Sequence, residues 1–188
     1  MNKLIFRYGT MNSGKTANLI MNAFNLKSQD KNIFVIKPIV DTRWEPELIK
    51  SRAFPEGLKV DLIMTPDMDV LEVAKNKLHC IFVDECQFLS PLNVEALRNF
   101  PDQIPIICYG LRTDYSSLLF PGSKRLMELA DVIEEFDNYC NYCPNKATIN
   151  AKFIKNNQNT DKIIREGNSQ IELGSEELYK PLCWECWK

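Results

Sequence analysis

The first residues able to do chemistry come early, in "GTMNSGKT", Gly9 to Thr16. The stretch matches Gly-x-x-x-x-Gly-Lys-Ser/Thr, follows the apolar run "KLIFRY" and precedes a helical pattern, the setting a phosphate-binding loop requires. Glycines let the backbone curl until successive N–H groups face one anion, and a helix N-terminus adds positive potential. Gly9, Thr10, Met11, Asn12, Ser13, Gly14, Lys15 and Thr16 are therefore expected to cradle the phosphates of a nucleoside triphosphate, with Lys15 on the outer phosphates and the Thr16 hydroxyl offered to magnesium. A chance match somewhere in a chain of ordinary composition is on the order of 1%.

A second piece ends another apolar run, "IFVDECQF". In open parallel sheets ligands gather at the carboxyl ends of the strands, so Asp84 is expected to face the same phosphates and share the magnesium with Thr16. Glu85 is then available as a general base, taking the proton of a hydroxyl or water that attacks the terminal phosphoryl group. Alone, Asp-Glu at a strand end reads equally well as solvated charge; beside a phosphate loop the catalytic reading prevails.

Four of the seven cysteines form two close pairs, "CNYC" at Cys140 and Cys143 and "CWEC" at Cys183 and Cys186. Two Cys-x-x-Cys knuckles supply the four thiolates of a closed tetrahedral zinc site. The competing redox reading lacks the thioredoxin setting. Cys80, Cys86 and Cys108 lie in or beside apolar strands and read as small core residues, and the lone His79 has no assigned role.

The elements that must position these groups alternate: "KLIFRY", a helix carrying Leu19, Ile20, Ala23 and Phe24 on one face, then "NIFVIKP", "HCIFVDE" and "IPIICYG". Buried strands separated by helices imply an α/β fold with a mainly parallel sheet covered on both sides. After about Asp131 the composition turns polar, with only weak strand-like runs in "ATINAKFI" and "IIREGNSQIEL". We therefore expect a nucleotide-binding domain over residues 1–135 and a small zinc-stapled domain over 136–188. The chain has 188 residues, 45% of them apolar and 26% charged, the profile of a folded globular protein. A net charge of −2 with no Lys/Arg block argues against nucleic acid as a partner. No apolar run reaches the roughly 18 residues of a membrane span, and no signal-peptide cleavage region follows the opening, so the expected location is the cytoplasm.

The order of "GTMNSGKT", "KPIVDTRW", "DECQF", "GLRTDY", "LFPGSKRLMELAD", the two cysteine pairs and "IELGSEELYKPLC" resembles the type II thymidine kinases, over about residues 3 to 187. The resemblance implies a RecA-like P-loop domain, a zinc-bound lasso domain over the nucleoside site, and transfer of the γ-phosphoryl group of ATP to the 5′-hydroxyl of thymidine. It adds Asp41, Thr42, Arg43 and Gln87 to the nucleotide site. Around the nucleoside it places Met11, Leu111, Tyr115, Phe120, Gln170, Ile171, Glu172, Leu173, Gly174 and Tyr179, with Met11 and Leu111 suited to the thymine methyl group. It also implies structural zinc, magnesium with ATP, feedback inhibition by dTTP and a homotetramer. Three positions depart from the family pattern. Tyr115 stands where many members have Phe, Asn12 where other branches have an aromatic residue, and Glu172 in a run that is usually apolar.

The rival from another class is a nucleic-acid-stimulated ATPase, since a phosphate loop followed by "DECQ" superficially matches helicase motifs. Such motors couple two RecA-like domains, and this chain has room for one.

Overall fold

The structure, a computed structural model, describes residues 3–40, 47–68, 70, 77–155, 161–166 and 179–188. Its main sheet has six strands in the order β5-β2-β6-β7-β1-β8, all paired in parallel. These are β1 (Lys3–Gly9), β2 (Ile33–Pro38), β5 (Leu62–Met64), β6 (Cys80–Val83), β7 (Pro105–Gly110) and β8 (Val132–Phe136). Every residue of β6 is buried, as a strand covered on both faces demands. One face carries Phe6, Ile36, Ile81, Val83 and Ile106 under helices α2 (Pro91–Arg98) and α3 (Pro121–Leu129). The other carries Val35, Phe82 and Tyr109 under α1 (Lys15–Lys27). Neighbours in sequence fall into opposite cores because strand side chains alternate.

The hairpin of β3 (Leu48–Ser51) and β4 (Phe54–Lys59) covers α1, adding Ile49 and Leu58 to its core. Leu19, Ile20 and Ala23 of α1 are buried as expected, whereas Phe24 is exposed. Phe24 lies at the margin of the buried stripe, one residue beyond Ala23, so its ring turns outward.

A separate antiparallel sheet, β10-β9-β11, is formed by β9 (Ile149–Lys155), β10 (Asp161–Ile164) and β11 (Tyr179–Leu182). It has its own small core of Ile149, Ala151, Phe153, Leu182 and Trp187, with Cys140 and Cys183. The short helix α4 (Trp184–Trp187) closes the chain.

Asp131 fastens the start of β8 to β1. Its Oδ2 accepts from the Leu4 N–H at 2.8 Å and from Arg98 Nη1 at 2.5 Å, while its own N–H donates to Leu4 O at 2.9 Å. The Arg98 guanidinium, and next the Leu4 N–H, hold the carboxyl below the ordinary carboxylate range. A depressed folded-state pKa means stability that is full above the unfolded value near 3.9 and lost as pH falls through the folded value. Asp131→Asn should therefore cost about 1 kcal/mol at pH 7, a figure kept low because the pair is partly exposed. The gap between variant and wild type should close below about pH 4, as read by urea unfolding across pH. An equal gap at pH 3 and pH 7 would show that the carboxylate's charge contributes nothing.

Candidate active site

The phosphate loop joins β1 to α1, with strand, turn and helix contiguous. Two of its residues take left-handed backbone, Asn12 at φ 61° and Gly14 at φ 82°. Glycine adopts this region freely, and asparagine tolerates it better than an aromatic residue, which gives the departure at position 12 a physical reason. The first turn of α1 contains no acidic residue and no side chain caps it, so its N–H groups remain available to an anion. Lys15 is buried and its ammonium donates to Thr10 O at 2.8 Å and Ser13 Oγ at 3.3 Å, lying across the mouth of the loop.

Asp84 follows the last residue of β6, one strand removed from the loop across β7. Its Oδ1 and Oδ2 both lie 3.4 Å from Thr16 Oγ1. Two carboxylate oxygens and a hydroxyl are hard donors, the chemistry magnesium selects, with its remaining positions left to phosphate and water. The structure thus brings together Thr16 and Asp84, the two residues expected to share magnesium.

Glu85 is buried beside Asp84 and holds left-handed backbone, φ 48° and ψ 39°, without being a glycine. Such backbone persists only where its surroundings enforce it, and it concentrates at functional sites. Here a 3₁₀ turn over Cys86–Phe88 follows at once, and Gln87 Nε2 donates to Glu85 Oε2 at 2.5 Å. At its other end Gln87 Oε1 accepts from the Leu111 N–H at 3.0 Å. The amide therefore bridges the carboxylate to the segment after β7. A Cβ on Gly110 would stand 2.5 Å from Gln87 Oε1 and 2.7 Å from Cys86 Sγ, so only glycine lets the two segments meet.

That segment carries three residues expected near the nucleoside. Ser123 Oγ donates to Leu111 O at 2.6 Å, and Phe120 is buried with its ring edge-on to Phe88 at 5.8 Å. Asp114 Oδ1 accepts from the N–H groups of Ser116 and Leu118, both at 2.9 Å, folding the loop back on itself. Tyr115 is buried within it, and the Lys152 ammonium of β9 lies 5.0 Å from its ring centroid, a cation–π contact a phenyl ring would also accept. Tyr179 begins β11, paired with Lys152. Asp41, Thr42, Arg43, Gln170, Ile171, Glu172, Leu173 and Gly174 lie outside the described residues.

The four paired cysteines converge, their sulfurs all within 4.8 Å of one another. Cys143 Sγ is 3.5 Å from Cys183 Sγ and 3.7 Å from Cys186 Sγ, too long for disulfides. A tetrahedron with metal–sulfur bonds near 2.3 Å needs sulfurs about 3.8 Å apart, so the donor set fits zinc. Burial opposes ionisation of Cys140, yet hydrogen bonds from the backbone of Cys183 and Tyr142 outweigh it and bring that thiol down to about 6. Hydrogen bonding with Cys183, then with Cys143, pushes Cys186 up to about 12. The cluster thus shares protons that a cation would replace. Burial, against the opposing charge of Arg7, pushes Cys80 up to about 12, and burial is the main cause that raises Cys86 and Cys108 as well; these three remain thiols in the core.

Two residues at the site escape any motif. Asn138, between β8 and the cysteine cluster, donates through Nδ2 to Thr10 Oγ1 at 3.0 Å and Met11 O at 2.9 Å. Asn150, buried on β9, accepts from the Met11 N–H at 2.7 Å. The polar interruption of "ATINAKFI" at Asn150 is the one trace of this in the sequence.

A family model described as thymidine kinase matches residues 2–187. The thymidine kinase of Streptococcus agalactiae is 38% identical over 189 residues, covering 97% of this chain and 95% of its own. That of Enterobacteria phage T4 is 38% identical over 195 residues, covering 100% and 96%. The thymidine kinase of Zymomonas mobilis is 38% identical over 188 residues, covering 97% and 94%. With this match over nearly the whole chain, on a parallel α/β sheet accompanied by a four-cysteine cluster, the chain belongs to the thymidine kinase family.

Proposed function

We propose that this chain transfers the γ-phosphoryl group of ATP to the 5′-hydroxyl of thymidine, yielding dTMP and ADP. The observation that carries this reading is the Gln87 bridge: a buried carboxylate beside the phosphate loop is tied to the very segment assigned to the nucleoside. Gly9 to Thr16 wrap the triphosphate, and Lys15 leaves Thr10 O for the outer phosphates. Thr16 and Asp84 would hold magnesium, which would supply charge neutralisation to the phosphates. Glu85 accepts the 5′-hydroxyl proton as the oxygen bonds to the γ-phosphorus and the bond to the β,γ-bridging oxygen breaks. Asp41, Thr42 and Arg43 complete the nucleotide site, and Met11, Leu111, Tyr115, Phe120, Tyr179 and the 170–174 segment enclose the nucleoside.

Residues 1–135 form the kinase domain in this reading, and residues 136–188 the lasso domain, with zinc on Cys140, Cys143, Cys183 and Cys186. The family resemblance further supports a homotetramer, inhibition by dTTP and a place in the cytoplasm. Among the described residues no helix is long and apolar enough to cross a membrane.

Three outcomes test these assignments. With ATP and a panel of nucleosides, thymidine should be phosphorylated in preference to deoxycytidine and the purine deoxynucleosides. Deoxyuridine should be poorer by about the 1–3 kcal/mol an apolar pocket gains from one methyl group. Turnover of deoxyadenosine with none of thymidine would leave only the reaction class standing, and DNA-stimulated hydrolysis without nucleoside phosphorylation would favour the motor reading.

Glu85→Gln keeps the side chain's size but removes the base. Turnover should fall by about 10²- to 10⁴-fold, with ATP and thymidine binding little changed. Near-normal turnover with chemistry rate-limiting would direct the search to another base.

Metal analysis should give about one zinc per chain, and Cys183→Ser should lose it together with nucleoside affinity. Full zinc content in that variant would remove Cys183 from the ligand set.

A further inference from the structure

The peptide unit joining Thr10 to Met11 is held from both sides. Its carbonyl accepts from Lys15 Nζ at 2.8 Å, and its N–H donates at 2.7 Å to Asn150 Oδ1 on the first strand of the antiparallel sheet. The next carbonyl, Met11 O, and the Thr10 hydroxyl both take hydrogen bonds from Asn138 Nδ2. Neither asparagine belongs to the main sheet. Asn138 leads into the cysteine cluster, three residues after the Glu135 carboxylate that pairs with Lys146, and Asn150 sits one residue past Ile149 in the core that contains Cys140 and Cys183. Asn150 also reaches the acceptor side, its Nδ2 lying 3.5 Å from Thr113 O.

We propose that Asn138 and Asn150 are positioning residues through which the C-terminal unit sets the shape of the phosphate loop, making ATP affinity depend on that unit's docking. The inference rests on the assignment of ATP to residues 9–16. A phosphate loop works by presenting N–H groups in one fixed orientation, so the direction of each peptide plane matters to the anion. Turning the Thr10–Met11 plane would leave Asn150 Oδ1 and Met11 N–H unpaired and carry Thr10 O away from Lys15. The asparagines therefore select the loop conformation in which Lys15 waits across its mouth. Asn138 touches the loop at Thr10 and Met11, the second of which also lines the proposed nucleoside site, and among the described residues it makes no hydrogen bond to the segment after β7. Asn150 touches both the loop and the segment after β7, and so couples the two substrates' sites.

The test separates these roles. In the full chain, Asn138→Ala and Asn150→Ala are compared with wild type for zinc content, melting temperature, equilibrium affinity for a non-hydrolysable ATP analogue, and KM for ATP and for thymidine. Asn138→Ala should weaken the analogue by about fivefold or more, with a smaller rise in the KM for thymidine transmitted through Met11 and an unchanged melting temperature. Asn150→Ala should raise both KM values. Both variants should retain zinc. Asn138 is only half-buried, so its truncation tests the proposal even if the Asn150 variant does not fold. Unchanged analogue affinity in Asn138→Ala with full zinc would overturn the proposal. So would a parallel loss of analogue affinity, thymidine KM and melting temperature, the mark of general destabilisation. A wild-type chain that binds the analogue but phosphorylates no nucleoside would instead sink the kinase reading and leave the loop-shaping test intact.

Discussion

The structure around the site depends on one amide side chain being able to touch two backbone segments at once. Gln87 is buried, and it spans from the Glu85 carboxylate to the Leu111 N–H. For that span to exist, the chain leaving β6 must turn back through left-handed backbone at Glu85, and β7 must end in a residue without a Cβ. A buried amide left unpaired costs about 1–3 kcal/mol, so the bridge is energetically specified once these segments are brought together. The helix that follows is drawn into the same arrangement, because Ser123 at the start of α3 closes on the carbonyl of Leu111. One carboxylate, one loop and one helix thus share a single polar seam beneath an otherwise apolar layer.

Charge is the second constraint. Lys15, Asp84 and Glu85 are all nearly removed from water. Burying charge is tolerable only where it is compensated, and the partners include the Thr10 carbonyl 2.8 Å from Lys15 Nζ, the Gln87 amide on the Glu85 carboxylate, and the Thr16 hydroxyl 3.4 Å from both Asp84 oxygens. Such a preorganised set needs little rearrangement when a polyphosphate and a divalent cation enter, which is the property phosphoryl transfer demands of its site.

The parts of this architecture legible in the sequence are those where local spacing and physics coincide. β1, β2, β6 and β7 are continuous apolar runs because both faces of the sheet are covered. The phosphate loop is legible because its glycines, lysine and threonine must fall within eight consecutive residues. β8, "VIEEF", is an edge strand with mostly exposed or half-exposed side chains, so it carries no pattern and exists through pairing with β1. The β3–β4 hairpin contains Pro55 and a bulge, and its role comes from covering α1. Asn138 left no trace in the sequence and Asn150 only a polar interruption of a strand-like run, because their partners on the loop lie 127 and 139 residues away and an asparagine does not announce a contact across that distance.

That separation bears on how a small polar unit can matter to the whole. Among the described residues the antiparallel sheet buries Ile149, Ala151, Phe153, Leu182 and Trp187 with Cys140 and Cys183, a small core of the kind that a cross-link steadies. The cysteine cluster brings the segment entering this sheet, at Cys140 and Cys143, against the segment leaving it, at Cys183 and Cys186, and a metal held there would shorten the loop that must be ordered. Asn138 lies just before the first knuckle and Asn150 on the strand just after it, so the order imposed at the sulfurs is delivered to the phosphate loop through two side chains. The kinase sheet supplies the strand and helix that aim the loop, while the cysteine-bound unit fixes the peptide planes inside it. Neither part alone determines the conformation in which Lys15 stands ready.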